Sequence, residues 1–203
     1  MISSHPIGLT NAMSDADEPM MRASHMRSVI DALDGNLGRE LAAGIRAEVP
    51  EVIAAIENSR GVWLPLALDV RLNEATYALA GAERMRETNI QGLARSAEGP
   101  LLRPIKEGLR RLGLGPAHAM RRARNGWNLI YRRCGRASVD VDPESQRVRF
   151  EVRDLPSVMR SNDYLHSIGS ALEGVMLLTG ATKTTMDIRI DGDRCRFDAS
   201  WEE

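Results

Sequence analysis

The carboxy-terminal stretch from Asp163 onward constrains the fold more than any other part of the chain. Tyr164, Ile168, Leu172, Val175 and Leu178 recur every three or four residues between Asp163 and Thr179, the spacing of a helix that buries one face. Gly180 follows where a left-handed residue ends a helix. The period then changes to two. Met186, Ile188 and Ile190 alternate with Asp187 and Arg189, Asp191-Gly192-Asp193 supplies a turn, and Cys195, Phe197, Ala199 and Trp201 alternate with Arg196, Asp198 and Ser200. Alternation of this kind, broken by an Asp-Gly turn, predicts a β-hairpin with one buried face. The pattern specifies a fold element and no reaction.

A second hairpin precedes it. Val139 and Val141, then Val148, Phe150 and Val152, alternate around Asp142-Pro143-Glu144-Ser145, a turn-forming run. Helical periodicity dominates everything earlier. Two short amphipathic helices fit Ser24 to Ala47, separated at Gly35, with Met26, Val29, Ile30 and Leu33 on one face and Leu37, Leu41 and Ile45 on the next. Pro50 opens another over Val52, Ile53 and Ile56, as proline does at a first helical turn. Trp63 to Ala80 repeats Leu64, Leu68, Leu72, Ala75 and Leu79 and predicts a core helix. Helical character resumes from Ile90 to Leu112, with a break at Gly99-Pro100 and Pro104 and with Ile105, Leu109 and Leu112 expected on the buried side. From Ala117 to Tyr131 the stripe Met120, Ala123, Trp127, Ile130 and Tyr131 faces away from Arg121, Arg122 and Arg124. Strands that cluster late and helices that dominate early predict an α+β fold, with an antiparallel sheet of about four strands from two hairpins packed against several helices.

Bulk properties narrow the class. The 203 residues, 43% hydrophobic and 27% charged, suit one globular domain. Residues 1–22 lack period and read as a flexible leader, leaving 23–203 as the domain. No apolar run reaches bilayer length and nothing marks a signal peptide, so the expectation is a cytoplasmic protein without a membrane span. Cys134 and Cys195 are far apart and read as reduced, buried thiols.

The order helix, hairpin, helix, hairpin, with Gly169, Glu173-Gly174, Gly180 and the closing Gly192-Asp193-Arg194-Cys195-Arg196-Phe197, resembles the ligand-binding fold shared by haem-nitric-oxide sensors, four-vinyl-reductase-type domains and TRAPP tethering subunits. The resemblance covers roughly the last hundred residues. Within that group Trp63-Leu64-Pro65, the helix from Trp127 to Tyr131, Cys134-Gly135 and Trp201 look like a paralogous family abundant in myxobacteria. The resemblance implies a cavity between helices and sheet, and related domains that dimerise through helices. It implies no reaction. The Tyr-x-Ser-x-Arg clamp with which haem sensors hold propionates does not occur in the sequence, and neither cysteine can be matched to the acylated position of the TRAPP subunits.

Chemistry-bearing residues are sparse. His25, His118 and His166 stand alone, without the His-x-x-x-His, Glu-x-x-His or Cys-x-x-Cys spacings of metal sites, and read as surface or capping residues. No Gly-x-Ser-x-Gly elbow frames a nucleophile. No catalytic residue, metal or cofactor is therefore expected. Between Arg103 and Arg136 ten Lys or Arg residues face the single acidic Glu107. A solvated face with arginine stems over apolar neighbours explains this run, and the net charge of −1 and 4% aromatic content argue against nucleic acid as a partner. Trp63, Trp127 and Trp201 lie on apolar stripes and are expected in the core; the functional alternative is a ligand pocket lined by Trp127, Tyr131 and Phe197. The expected function is a non-enzymatic sensory or scaffold module acting through protein–protein association, as a homodimer or with another protein, with its contact on the helical surface from Ser24 to Ile56. The alternative is a binding protein for a small apolar or tetrapyrrole-like ligand.

Overall fold

A computed structural model describes residues 18–99 and 103–203, apart from the side chains of 105, 109 and 110. Both predicted hairpins are present and share one antiparallel sheet. Strands β4 (Arg136–Asp142), β5 (Arg147–Arg153), β6 (Lys183–Asp191) and β7 (Arg194–Glu202) run in the order β4-β5-β7-β6. The register places Val139, Phe150, Phe197 and Ile188 in one row across all four strands. One face of the sheet is apolar, and Phe150, Val152, Cys195, Phe197 and Trp201 are buried on it. Helix α8 (Asn162–Leu178) lies over this face, started by the Ser161 side chain, which accepts a hydrogen bond from the Tyr164 amide.

Helix α4 (Leu66–Glu98) crosses α8 and is in turn covered by α1 (Ala23–Asn36), with α2 (Arg39–Glu48) and α3 (Pro50–Asn58) along the outside. The α+β architecture is thus a sheet, a helix upon it, and a second helical layer upon that helix. Its hydrophobic core is continuous from Met26 and Leu33 through Leu72 and Tyr164 to Phe150 and Trp201. No helix among the described residues is long and apolar enough to cross a membrane.

Several expectations change. Regular structure extends to residues before Ala23: Met20–Arg22 forms β1, the middle strand of a small second sheet between β2 (Trp63–Pro65) and β3 (Tyr131–Arg132), while the leader expectation for 1–17 lies outside the described residues. Met21 is only 2% exposed there, and the Arg22 guanidinium lies 4.7 Å from the Trp63 ring centroid while its Nε donates to the Leu129 carbonyl at 2.8 Å. These contacts outweigh the disorder expected through residue 22. Trp63–Pro65 is therefore strand, and α4 starts at Leu66. It continues past Ala80 through a kink at Gly81, where φ of 80° and ψ of 169° lie in a region open chiefly to glycine. The expected 117–131 helix divides into α6 (Pro116–Arg121) and α7 (Ala123–Ile130), and Tyr131 enters β3. Leu79 and Leu112 are exposed rather than buried. The expectations for Ile105 and Leu109 lie outside the described residues.

Gly135 fixes the entrance to the main sheet. Its φ is +88°, and a Cβ there would stand 2.5 Å from the Arg153 carbonyl oxygen. Only glycine allows β4 to approach β5 this closely after the turn.

Candidate functional site

Trp127 and Tyr131 are brought into contact, with ring centroids 4.2 Å apart. Phe197 joins them only through Phe150, at 5.7 Å from Trp127 to Phe150 and 6.1 Å from Phe150 to Phe197. Trp127, Phe150 and Phe197 are buried and form a packed aromatic chain across the helix–sheet junction, a geometry that contributes cohesion beyond area burial. Of the three expected tryptophans, Trp127 and Trp201 are core residues. Trp63 is half-buried under Arg22.

Beside this chain lies a polar cluster that the periodicity conceals. Asp69 and Tyr164 occupy apolar stripes of α4 and α8 and meet in the interior, where the Tyr164 hydroxyl donates to Asp69 Oδ2 at 2.8 Å. Asp69 Oδ1 has no partner. Burial raises the Asp69 carboxyl from 3.8 to about 6, against the opposing pull of the Tyr164 hydrogen bond. Burial first, and the Asp69 charge second, hold the Tyr131 and Tyr164 phenols neutral far above their usual range. Cys134 is buried alongside, donates to the Arg132 carbonyl at 3.2 Å, and is pushed up by burial to about 12. Cys195, inside the sheet, is pushed up to about 11 by burial. Neither thiol is poised as a thiolate nucleophile. Asp69, on the buried face of α4, is the trace this cluster leaves in the sequence; Asn73 and Thr76 on that face donate to the carbonyls of Asp69 and Leu72 in their own helix.

A second polar feature joins three elements. Arg86, just past the Gly81 kink, donates from Nε and from one terminal nitrogen to the two carboxylate oxygens of buried Glu173 at 2.8 and 3.0 Å, and Thr184 donates to Glu173 at 2.8 Å. This bidentate pair clamps α4 to α8 and β6. A cleft of about 440 Å³ opens beside it, floored by Gly169, Met186 and Ile188.

The apolar cavity lies elsewhere. A groove of about 470 Å³ runs between the end of α4, α5 (Arg103–Arg111), the α6–α7 junction and α8, lined by Leu93, Ala97, Ala123, Ile130, Val175 and Leu178 among others. Leu112 and Leu178 line it and are 70% and 36% exposed. Its charged lining residues among those described are Lys106, which pairs with Glu98, and Arg122. A third groove, about 490 Å³, crosses the outer sheet face and is lined by balanced charges such as Arg149 and Asp198, paired at 2.8 Å.

The remaining expected residues are dispersed. His118 and His166 are exposed, as read from the sequence. His25 is buried instead, with Nδ1 3.2 Å from Ser96 Oγ, and burial lowers its pKa from 6.5 to about 4. Within the basic run Arg103 pairs with Glu107 and Arg136 with Asp154, while Arg121, Arg122, Arg124, Arg132 and Arg133 are exposed to solvent. Among the described residues no three His, Cys, Asp or Glu side chains converge in a way that could hold a metal ion. No protein-family model matches the chain, and no curated protein sequence matches it.

Proposed function

We propose that this chain is a non-enzymatic binding module that takes a small apolar ligand in the groove between α4, α5, α6–α7 and α8. One observation carries this reading. Five large hydrophobic side chains are exposed among the described residues, and two of them, Leu112 and Leu178, line this same concavity. Exposed apolar side chains gathered in a groove, rather than scattered, mark a surface that is covered in use. The neutral, buried state of Cys134 and Cys195 supports a binding role over covalent chemistry. The resemblance to ligand-binding domains belongs to the same proposal, supported by the helix and hairpin order. The ligand sits among the helices rather than against the aromatic chain expected to line it, because Trp127 and Phe197 are committed to packing, although Gly126 and Ile130 beside Trp127 line the groove.

Association through Ser24 to Ile56 has less to recommend it. The apolar residues of that segment, including Met26, Ile30, Leu33, Val52 and Ile56, are consumed inside the chain.

Titration with the uncharged fluorophore phenylnaphthylamine tests the proposal. Saturable, blue-shifted emission is expected, and Leu178→Asp or Leu112→Asp, both at exposed positions, should weaken binding by about tenfold or more. Binding that is absent, or indifferent to both substitutions, would refute the groove.

A further inference from the structure

We propose that two copies of this chain associate through strand β6, edge to edge, about a two-fold axis at Ile188, forming one continuous sheet. This surface is separate from the apolar groove. β6 is nine residues long, contains no proline and ends the β4-β5-β7-β6 sheet, so among the described residues no strand lies beside its outer edge. An edge of this length presents unpaired backbone groups that template pairing.

The charge pattern selects both occupant and register. On the solvent face, among the described residues, Asp187 and Arg189 form an ion pair only with each other, along the strand. Across β7, Asp187 stands opposite Asp198 and Arg189 opposite Arg196, like charges that are unfavourable when directly opposed; Asp198 and Arg196 are answered by Arg149 and by each other, which leaves Asp187 and Arg189 as the pair open to an outside partner. An antiparallel second β6 centred on Ile188 sets each Asp187 against Arg189 of the other copy, twice by symmetry, and Thr185 against Asp191. Moving the centre one residue either way destroys this. At Asp187 it opposes two aspartates, and at Arg189 it opposes two arginines and sets Asp187 against Asp191. Of these three centres, only Ile188 sets no like charges against each other.

The helix-side face agrees. In the same register Ile190, 45% exposed in the single chain, meets Met186 of the second copy beside the cleft floored by Gly169, Met186 and Ile188. The isologous contact therefore covers the one exposed large hydrophobic of β6 and gives Asp187 and Arg189 a second partner of opposite charge, each twice, in a closed two-fold interface.

Sedimentation velocity with charge-swapped full chains tests this. Wild type is expected to sediment at twice the 22.4 kDa chain mass at high micromolar concentration. Asp187→Arg places arginine against Arg189 and Arg189→Asp places aspartate against Asp187, so each variant alone should dimerise about tenfold or more weakly. Mixed in equal amounts, the two variants should recover wild-type association as a heterodimer. Both positions are exposed, and circular dichroism should show an unchanged fold. A monomeric wild type, single variants that dimerise as well as wild type, or a mixture that fails to recover association would each overturn the proposal.

Discussion

Asp69 and His25 are both sealed from water and both shifted toward their neutral forms, which places their effects on stability in opposite senses along the pH axis. The Asp69 carboxyl is raised from 3.8 to about 6 by burial, so the folded chain holds that proton more tightly than the unfolded chain. Its contribution is full below about 4 and is lost as pH rises to about 6. His25 is lowered from 6.5 to about 4, so its contribution is full above about 6.5 and is lost as pH falls to about 4. Between pH 4 and 6 the two offset each other. Asp69→Asn keeps an acceptor for the Tyr164 hydroxyl and removes the desolvated charge. It should raise unfolding stability at pH 7.5 by roughly 2 to 3 kcal/mol, and in that background stability should fall on acidification below 6.5 by about 1.4 kcal/mol per pH unit. Denaturant melts across pH check both. Trp127 is buried against Tyr131 and Phe150, and Trp127→Ala should lower stability by about 3 to 5 kcal/mol, measured the same way. The tryptophan was legible as core because it repeats at helical spacing. Asp69 was not, because a charged residue on a stripe reads as an interruption of the stripe until its partner, ninety-five positions away, is known.

At the scale of elements, the two hairpins and α8 were legible for one physical reason. Each is long enough to display its own period, two for β5, β6 and β7 and three to four for α8, and each buries one face, so side-chain pattern and backbone geometry agree. The three strands of the small sheet are two or three residues long and display no period at all. They form because Met21 is drawn into the core and Arg22 finds the Trp63 ring and the Leu129 carbonyl, contacts that no local reading contains. The division of the 117–131 segment follows similarly: Tyr131 leaves the helix to pair with Met21. The Arg86–Glu173–Thr184 clamp likewise spans elements and depends on the Gly81 kink that turns the second half of α4. Removing Arg86 leaves a buried carboxylate with only the threonine hydroxyl. Arg86→Ala should therefore cost about 3 kcal/mol, less whatever solvent recovers at the half-exposed guanidinium, whereas Arg86→Ala in a Glu173→Gln background should cost distinctly less. A double-mutant cycle in urea reads the difference.

For the whole molecule, apolar surface has two fates. Almost all of it joins one continuous core from α1 to the sheet, which is why the helical face first expected to mediate association is spent within the chain. Of the five large hydrophobics left exposed among the described residues, Leu112 and Leu178 lie in the groove and Ile190 on the β6 edge, while Val62 and Leu79 stand apart from both. The fold class could be read from the sequence because it depends on periodicity. The groove could not, because it is assembled from α4, α5, α6–α7 and α8, and concavity belongs to how helices are placed, which no single stripe records. The most direct test of the ligand-binding account is a methyl-resolved NMR titration of the full chain with phenylnaphthylamine. Saturable shifts are predicted for the methyl groups of Leu93, Ile130, Val175 and Leu178, with Val148, Val152 and Ile188 at the sheet unmoved. Shifts at the sheet with a silent groove, or no saturable shift anywhere, would contradict it.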